Sequence, residues 1–180
     1  MANDRLYNDP VPQTRFLIAF PEAFADWQNP TADELNANPN NDPTGLVFNI
    51  TCALNQDGTQ FDLGDSDTDD SLTFCQVAGA VNPTTLNPEI VYEIERSKDP
   101  LDENTANLAF GLLAWKGVEF FAIASIGEDP DADFEVGDRI KMARVAVDYP
   151  TDVFNIGENT RLSQELANRG DVAWNVALTV

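Results

Sequence analysis

Glu89-Ile90-Val91-Tyr92-Glu93-Ile94-Glu95 is the stretch whose reading decides the fold class. Ile90, Tyr92 and Ile94 fall on one side of a period of two, and Glu89, Val91, Glu93 and Glu95 fall on the other. Successive side chains of a strand point to opposite faces, so Glu89 to Arg96 reads as a half-buried β-strand with a glutamate-rich outer face.

Reading upstream from that strand, Thr14 to Phe20 is expected to be a first strand ended by Pro21, and Gly45 to Leu54 a second. The excursion between them is rich in Asn, Asp and Pro. Within it, Thr31-Ala32-Asp33-Glu34 has the spacing of a capping box and predicts a short helix near residues 32 to 37. Asn55-Gln56-Asp57-Gly58 marks a turn, and Leu72 to Ala78 reads as a further strand. Residues 1 to 13 carry Pro10 and Pro12 and read as an extended arm.

Downstream, the clearest helix runs from about Glu103 to Lys116, with Ala106, Leu108, Ala109, Leu112, Leu113 and Trp115 along its apolar stripe. Gly117 suits the left-handed position that ends a helix. Val118 to Ile126 is a strongly apolar strand, and Phe134 to Asp148 another, with Gly137 at a turn or bulge ahead of it. Thr160 to Ala167 and Val172 to Val180 flank Asn168-Arg169-Gly170-Asp171 in the manner of a closing hairpin. Leu162 and Leu166, at i and i+4, leave a helix over 158 to 168 as the alternative. Many strands, one principal helix, no repeat and no boundary imply one mainly β (α+β) domain over residues 1–180. Its architecture is expected to be β-sandwich or barrel-like, with the helix on one flank and long loops.

The chemistry is legible mostly through what is missing. Histidine is absent, which removes Ser-His-Asp and Cys-His catalysis and histidine metal sites. Cys52 and Cys75 cannot form a zinc site alone; in apolar, β-like runs they are expected to be buried thiols in a reducing compartment, with a disulfide between them as the alternative. Asp65, Asp67 and Asp69 occupy positions 1, 3 and 5 of a calcium loop, but Asp70 stands where glycine is required and Gln76 where the bidentate glutamate belongs. Glu128 to Asp133 reads as a charged hairpin tip. Isolated glycines make no phosphate cradle, and Trp27, Trp115 and Trp174 read as core or interface anchors. Thirty-one acids make adjacent carboxylate pairs uninformative about glycosidase-type chemistry. No enzyme site emerges.

Acidic residues outnumber basic ones 31 to 10, for a formal charge of -21. Such a surface repels nucleic acid and anionic membranes. Met1 to Arg5 begins no apolar leader, and no stretch nears the roughly 18 apolar residues of a bilayer span, so synthesis in the cytoplasm is expected.

The order of elements carries a resemblance. An arm, long loops after early strands, one helix leading through Lys116-Gly117 into an apolar strand, then Phe134-Glu135-Val136-Gly137-Asp138-Arg139-Ile140, Val145-Ala146-Val147-Asp148-Tyr149-Pro150 and Gly170-Asp171-Val172-Ala173-Trp174-Asn175-Val176 together resemble the major tail tube proteins of long, non-contractile-tailed bacteriophages (siphophages). The likeness runs from Thr14 onward. It implies a structural virion protein with no catalytic residues and no cofactor. Hexameric rings would join their inner sheets into one β-barrel and stack around a tape measure protein. The tail terminator and distal tail proteins would meet the ends of the tube, and DNA would pass through without specific binding. Ring-to-ring contacts would come from residues 1 to 13, 21 to 43 and 55 to 71, the last holding Asp57, Asp65, Asp67, Asp69 and Asp70. Glu89, Glu93 and Glu95 are the expected lumen-facing residues, because basic residues there would hold phosphates. The rival readings are a calcium-stabilised acidic β domain for adhesion or carbohydrate binding, an acidic enzyme of a salty cytoplasm, and a DNA mimic.

Overall fold

The computed structural model describes residues 14–64, 68–69, 82–83, 86–96, 99, 104–127, 132–153 and 161–180. Its strands are β1 (Thr14–Ala19), β2 (Val47–Asn49), β3 (Gln60–Leu63), β4 (Thr68–Asp69), β5 (Asn82–Pro83), β6 (Pro88–Glu95), β7 (Glu119–Ile126), β8 (Arg139–Val147), β9 (Thr151–Val153) and β10 (Arg161–Ala177). The helices are α1 (Ala32–Leu35) and α2 (Thr105–Leu113), with single 3-10 turns at Pro21–Ala23 and Thr51–Ala53. β4 pairs with β5. The other eight strands form one antiparallel sheet in the order β2-β1-β7-β8-β10-β6-β3, with β9 also on β10.

That sheet is folded over on itself. In a flat sheet four ladder steps would hold β1 and β6 about 19 Å apart. Instead the rings of Phe16 on β1 and Tyr92 on β6 have centroids 6.1 Å apart. The corner is β10, whose residues 161–166 pair with β6 while 166–177 pair with β8. Register shifts between Asn168 and Val172, and between Trp174 and Val176, bulge the strand. Gly170 at φ 95 and Asn175 at φ 62 supply the left-handed backbone within those stretches. The chain also crosses between layers after β2, where Leu54 bridges to Ile94.

The first layer is buried on both faces. Ile18, Phe48, Phe120, Ala122 and Val145 pack inward with Ile90, Tyr92 and Ile94 of the second layer and with Ala109 and Leu113 of α2. Leu17, Ala19, Phe121, Ile123 and Met142 face the other way, under Ala32 and Leu35 of α1, Phe134 and Leu178. This double burial explains why Phe120 to Ala124 reads as a continuous apolar run. In β6 every second residue is buried, as the alternation of 89 to 95 requires. The capping box also forms as its spacing predicts: Glu34 N–H donates to Thr31 Oγ1 at 3.2 Å, and Thr31 N–H to Glu34 Oε2 at 3.0 Å.

Four expectations are corrected. Within Gly45 to Leu54 only Val47–Asn49 is strand, because Thr51–Ala53 coils into the turn that leaves the first layer. Cys52 is therefore an exposed free thiol instead of a buried one, while Cys75 lies outside the described residues. The long helix ends at Leu113 with Ala114 as its cap; Gly117 has φ 87 but donates its N–H to Val147, tying the connection to β8. Trp115 consequently leaves the apolar stripe and is 70% exposed. Finally, Arg161–Ala177 is one strand, neither a hairpin nor a helix. Its halves pair with β6, β9 and β8 and not with each other, and Asn168 to Asp171 is absorbed as a bulge. The expected arm at 1–13 and strand at Leu72 to Ala78 lie outside the described residues.

Candidate self-assembly surface

The second layer consists of β9, the first half of β10, β6 and β3, and its outer face has no apolar cluster packed on it among the described residues. Residues directly opposite on antiparallel strands share a face. Asp62 lies opposite Glu89, Glu165 opposite Val91, Ser163 opposite Glu93, and Arg161 opposite Glu95. Five carboxylates (Asp62, Glu89, Glu93, Glu95 and Glu165) therefore share one face with Arg161. Asp62 facing Glu89 is a like-charge pair that costs stability in an isolated sheet.

The three glutamates singled out from the sequence are not equivalent. Glu89 and Glu95 are exposed. Glu93 is held in an ion pair with Arg161 at 3.0 Å, their side chains only 13% and 22% exposed respectively. The turn at 56–58 lies against it: Asn55 N–H donates to the Glu93 carbonyl at 2.7 Å, and the Glu93 carboxylate leaves no room for a Cβ at Gly58. Asp62 and Glu165 belong to the same face but escape a reading of one strand, since only the register of β3 and β10 on β6 brings them there.

Elsewhere the positive charges are already engaged. Arg144 on β8 donates to Glu119 at 2.9 Å and to Asp171 at 3.2 Å, which holds its guanidinium further above its ordinary pKa; Asp171 is the larger influence. Arg169 also meets Glu119, Arg96 meets Asp152, and Lys116 meets Asp148. Lys141 lies over Trp174, Arg139 donates to the Asn175 carbonyl, and Arg15 donates to the Ala132 carbonyl and covers the Phe134 ring. Every described cation thus has a partner within the subunit. The acidic face keeps Arg161 as its own partial compensation.

Two strand edges bound this face. Among the described residues β3 pairs only with β6, and β9 only with β10, so each presents an unpaired side. Asp57 sits exposed in the turn beside β3. Of the acidic run, Thr68–Asp69 contributes backbone pairing to Asn82–Pro83, and Asp65, Asp67 and Asp70 lie outside the described residues. A cleft of ≈ 190 Å³ on the other layer is lined by Arg15, Asn36, Asn38, Asn49 and Asp133 among others. Asn36 there is committed to structure, exchanging two hydrogen bonds with the Phe134 backbone at 2.9 Å each.

A mainly β subunit with an acidic open face flanked by two free edges is suited to repetition. No curated protein matches the chain. A family model described as phage tail tube protein matches residues 3–179, nearly the whole length. The chain belongs to the phage tail tube protein family.

Proposed function

We propose that this tail tube protein forms the tube of a siphophage tail, with β3 of one copy pairing along β9 of the next to close a hexameric ring. The observation that carries this reading is the acidic face of the second layer, bounded on both sides by strand edges that have no partner among the described residues. Exposed edges template pairing with another chain. Four strands from each of six copies make a barrel of about 24 strands. At about 4.8 Å between strands and a tilt near 40°, its backbone circle is about 48 Å across. That leaves room for a DNA duplex inside a layer of side chains.

Asp62, Glu89, Glu95 and Glu165 would line the lumen and repel phosphates. Glu93 would contribute less, since Arg161 offsets its charge. Rings would stack around a tape measure protein, meet the tail terminator and distal tail proteins at the ends of the tube, and be assembled in the host cytoplasm. The loops at 21–43 and 55–71, with Asp57, Asp65, Asp67, Asp69 and Asp70 in the second, would contact the next ring.

Negative-stain microscopy of the purified protein tests assembly: hollow tubes or rings are expected, and uniformly small particles at high concentration would count against it. Replacing Glu89 and Glu95 with lysine in phage tests the lumen. Tubes should still form and DNA ejection should slow. Unchanged ejection kinetics would sink the lumen assignment.

A further inference from the structure

In the proposed ring β3, at one end of the folded sheet, and β9 are open to strand pairing, whereas β2 at the other end of the sheet is closed by side chains. In β2, Phe48 turns its backbone toward β1, so the N–H and C=O groups of Val47 and Asn49 point outward. Three of those four groups are held by asparagines from the loop before the strand. Asn41 Nδ2 donates to the Asn49 carbonyl at 2.8 Å, and Asn49 N–H donates to Asn41 Oδ1 at 2.7 Å. Asn38 Nδ2 donates to the Val47 carbonyl at 2.9 Å.

The side-chain amide of Asn41 thus copies the two-point pairing that a neighbouring strand would make. Its backbone adopts φ 53, a left-handed conformation that Asn tolerates better than most residues. Asn38 is fixed in turn, since Asp42 N–H donates to its Oδ1 at 2.8 Å and its Nδ2 also reaches the Asp42 carbonyl at 3.0 Å. Edge strands need such protection because their unpaired groups recruit other chains. In a protein that must polymerise, closing one edge matters more, because a subunit with extra open edges can join its copies in the wrong place.

We propose that Asn38 and Asn41 form an edge guard which denies β2 to the strands of other copies, so that copies pair only through β3 and β9. The proposal rests on the tail-tube reading for the identity of the productive assembly. The variant Asn41→Gly is chosen to remove the amide while keeping a residue at ease with positive φ.

Hydrogen exchange on the soluble full-length subunit should show the Asn49 amide exchanging about tenfold faster in Asn41→Gly than in wild type. On concentration, the variant should form irregular aggregates beside or in place of tubes, and in them the amides of residues 47–49 should regain protection. Unchanged Asn49 exchange, or assemblies indistinguishable from wild type despite faster exchange, would overturn the proposal. If Asn41→Gly does not fold, Asn38→Ala, which frees the Val47 carbonyl and the Asp42 backbone groups but leaves the Asn49 amide on Asn41, is scored by assembly alone: irregular aggregates are expected, and assemblies indistinguishable from wild type would overturn the proposal. Wild-type protein that never forms tubes would count against the tail-tube reading, while the variant's gain of association would still be readable.

Discussion

Tyr92 on β6 and Gln164 on β10 lie directly opposite each other, both fully buried, and neither the Tyr92 hydroxyl nor Gln164 Oε1 meets a hydrogen-bond partner among the described residues. The Gln164 amide nitrogen is satisfied by the Glu165 carbonyl at 2.7 Å, so the shortfall is confined to two oxygens. They sit at the centre of the layer whose other face is acidic.

Tyr92→Phe should stabilise the subunit by about 1 kcal/mol in urea denaturation, because it removes a buried polar group that gains nothing in return. A loss of stability instead would mean that the hydroxyl is bonded. Burial raises the Tyr92 pKa well above 10.0, so the folded state keeps its proton where the unfolded chain releases it. Its contribution is therefore fully present below about pH 10 and is lost above it, by up to about 1.4 kcal/mol per pH unit. Tyr92→Phe should remove that part of the alkaline slope.

Glu93 and Arg161 should couple more strongly than the exposed pairs. Breaking a well-buried pair costs about 3–5 kcal/mol, and partial exposure should bring this one to about 1–3. A double-mutant cycle with Glu93→Gln and Arg161→Met measures it. Coupling near zero would show that the pair is screened. Glu93→Lys would oppose two cations on this face, so a failure to assemble in that variant reports on folding and not on the lumen.

Two glycines should respond to alanine with opposite signs. Gly111 lies in the exposed part of α2 with open space around a new Cβ, and Gly111→Ala should stabilise by about 0.5–1 kcal/mol. Gly170 also has open space, but its φ is 95, so Gly170→Ala should destabilise by about 1–2 kcal/mol through the backbone alone. Equal effects in denaturant melts would contradict the bulge conformation.

The Asp148 carboxyl is held below the ordinary carboxylate range, first by the Tyr149 N–H and then by Lys116. Lys116→Met should raise its pKa only part of the way back, as read by NMR titration. A complete return would mean that the backbone bond is not the main cause. The associated stability is present above the unfolded carboxylate pKa of about 3.9 and is lost as pH falls below it.

Much of the fold was legible where a local pattern had one physical solution. Ile90, Tyr92 and Ile94 are buried because a period of two with three large apolar residues can satisfy only one face of a sheet. Thr31 and Glu34 cap α1 because both partners lie within one turn. Phe121 and Ile123 were legible as strand but not as the floor of a second cluster, whose roof comes from α1, Phe134 and Leu178. The acidic face was visible only in its β6 part.

What the chain order determined by itself was therefore the strands around Thr14–Ala19, Pro88–Glu95, Glu119–Ile126 and Arg139–Val147, the cap, the absence of histidine and an acidic balance. Tertiary structure decided the rest. Asn168 to Asp171 has the composition of a turn, yet β8 runs alongside and pairs on both sides of it, so the strand continues through a bulge. Glu93 and Glu95 stand two residues apart on one face, yet only Glu93 is covered by a turn and paired with Arg161. Asn41 has the look of a loop residue until Asn49 is set beside it. Each of these outcomes depends on a partner beyond the local turn, from eight residues away for Asn41 and Asn49 to 68 for Glu93 and Arg161, and local sequence carries no record of distance in space.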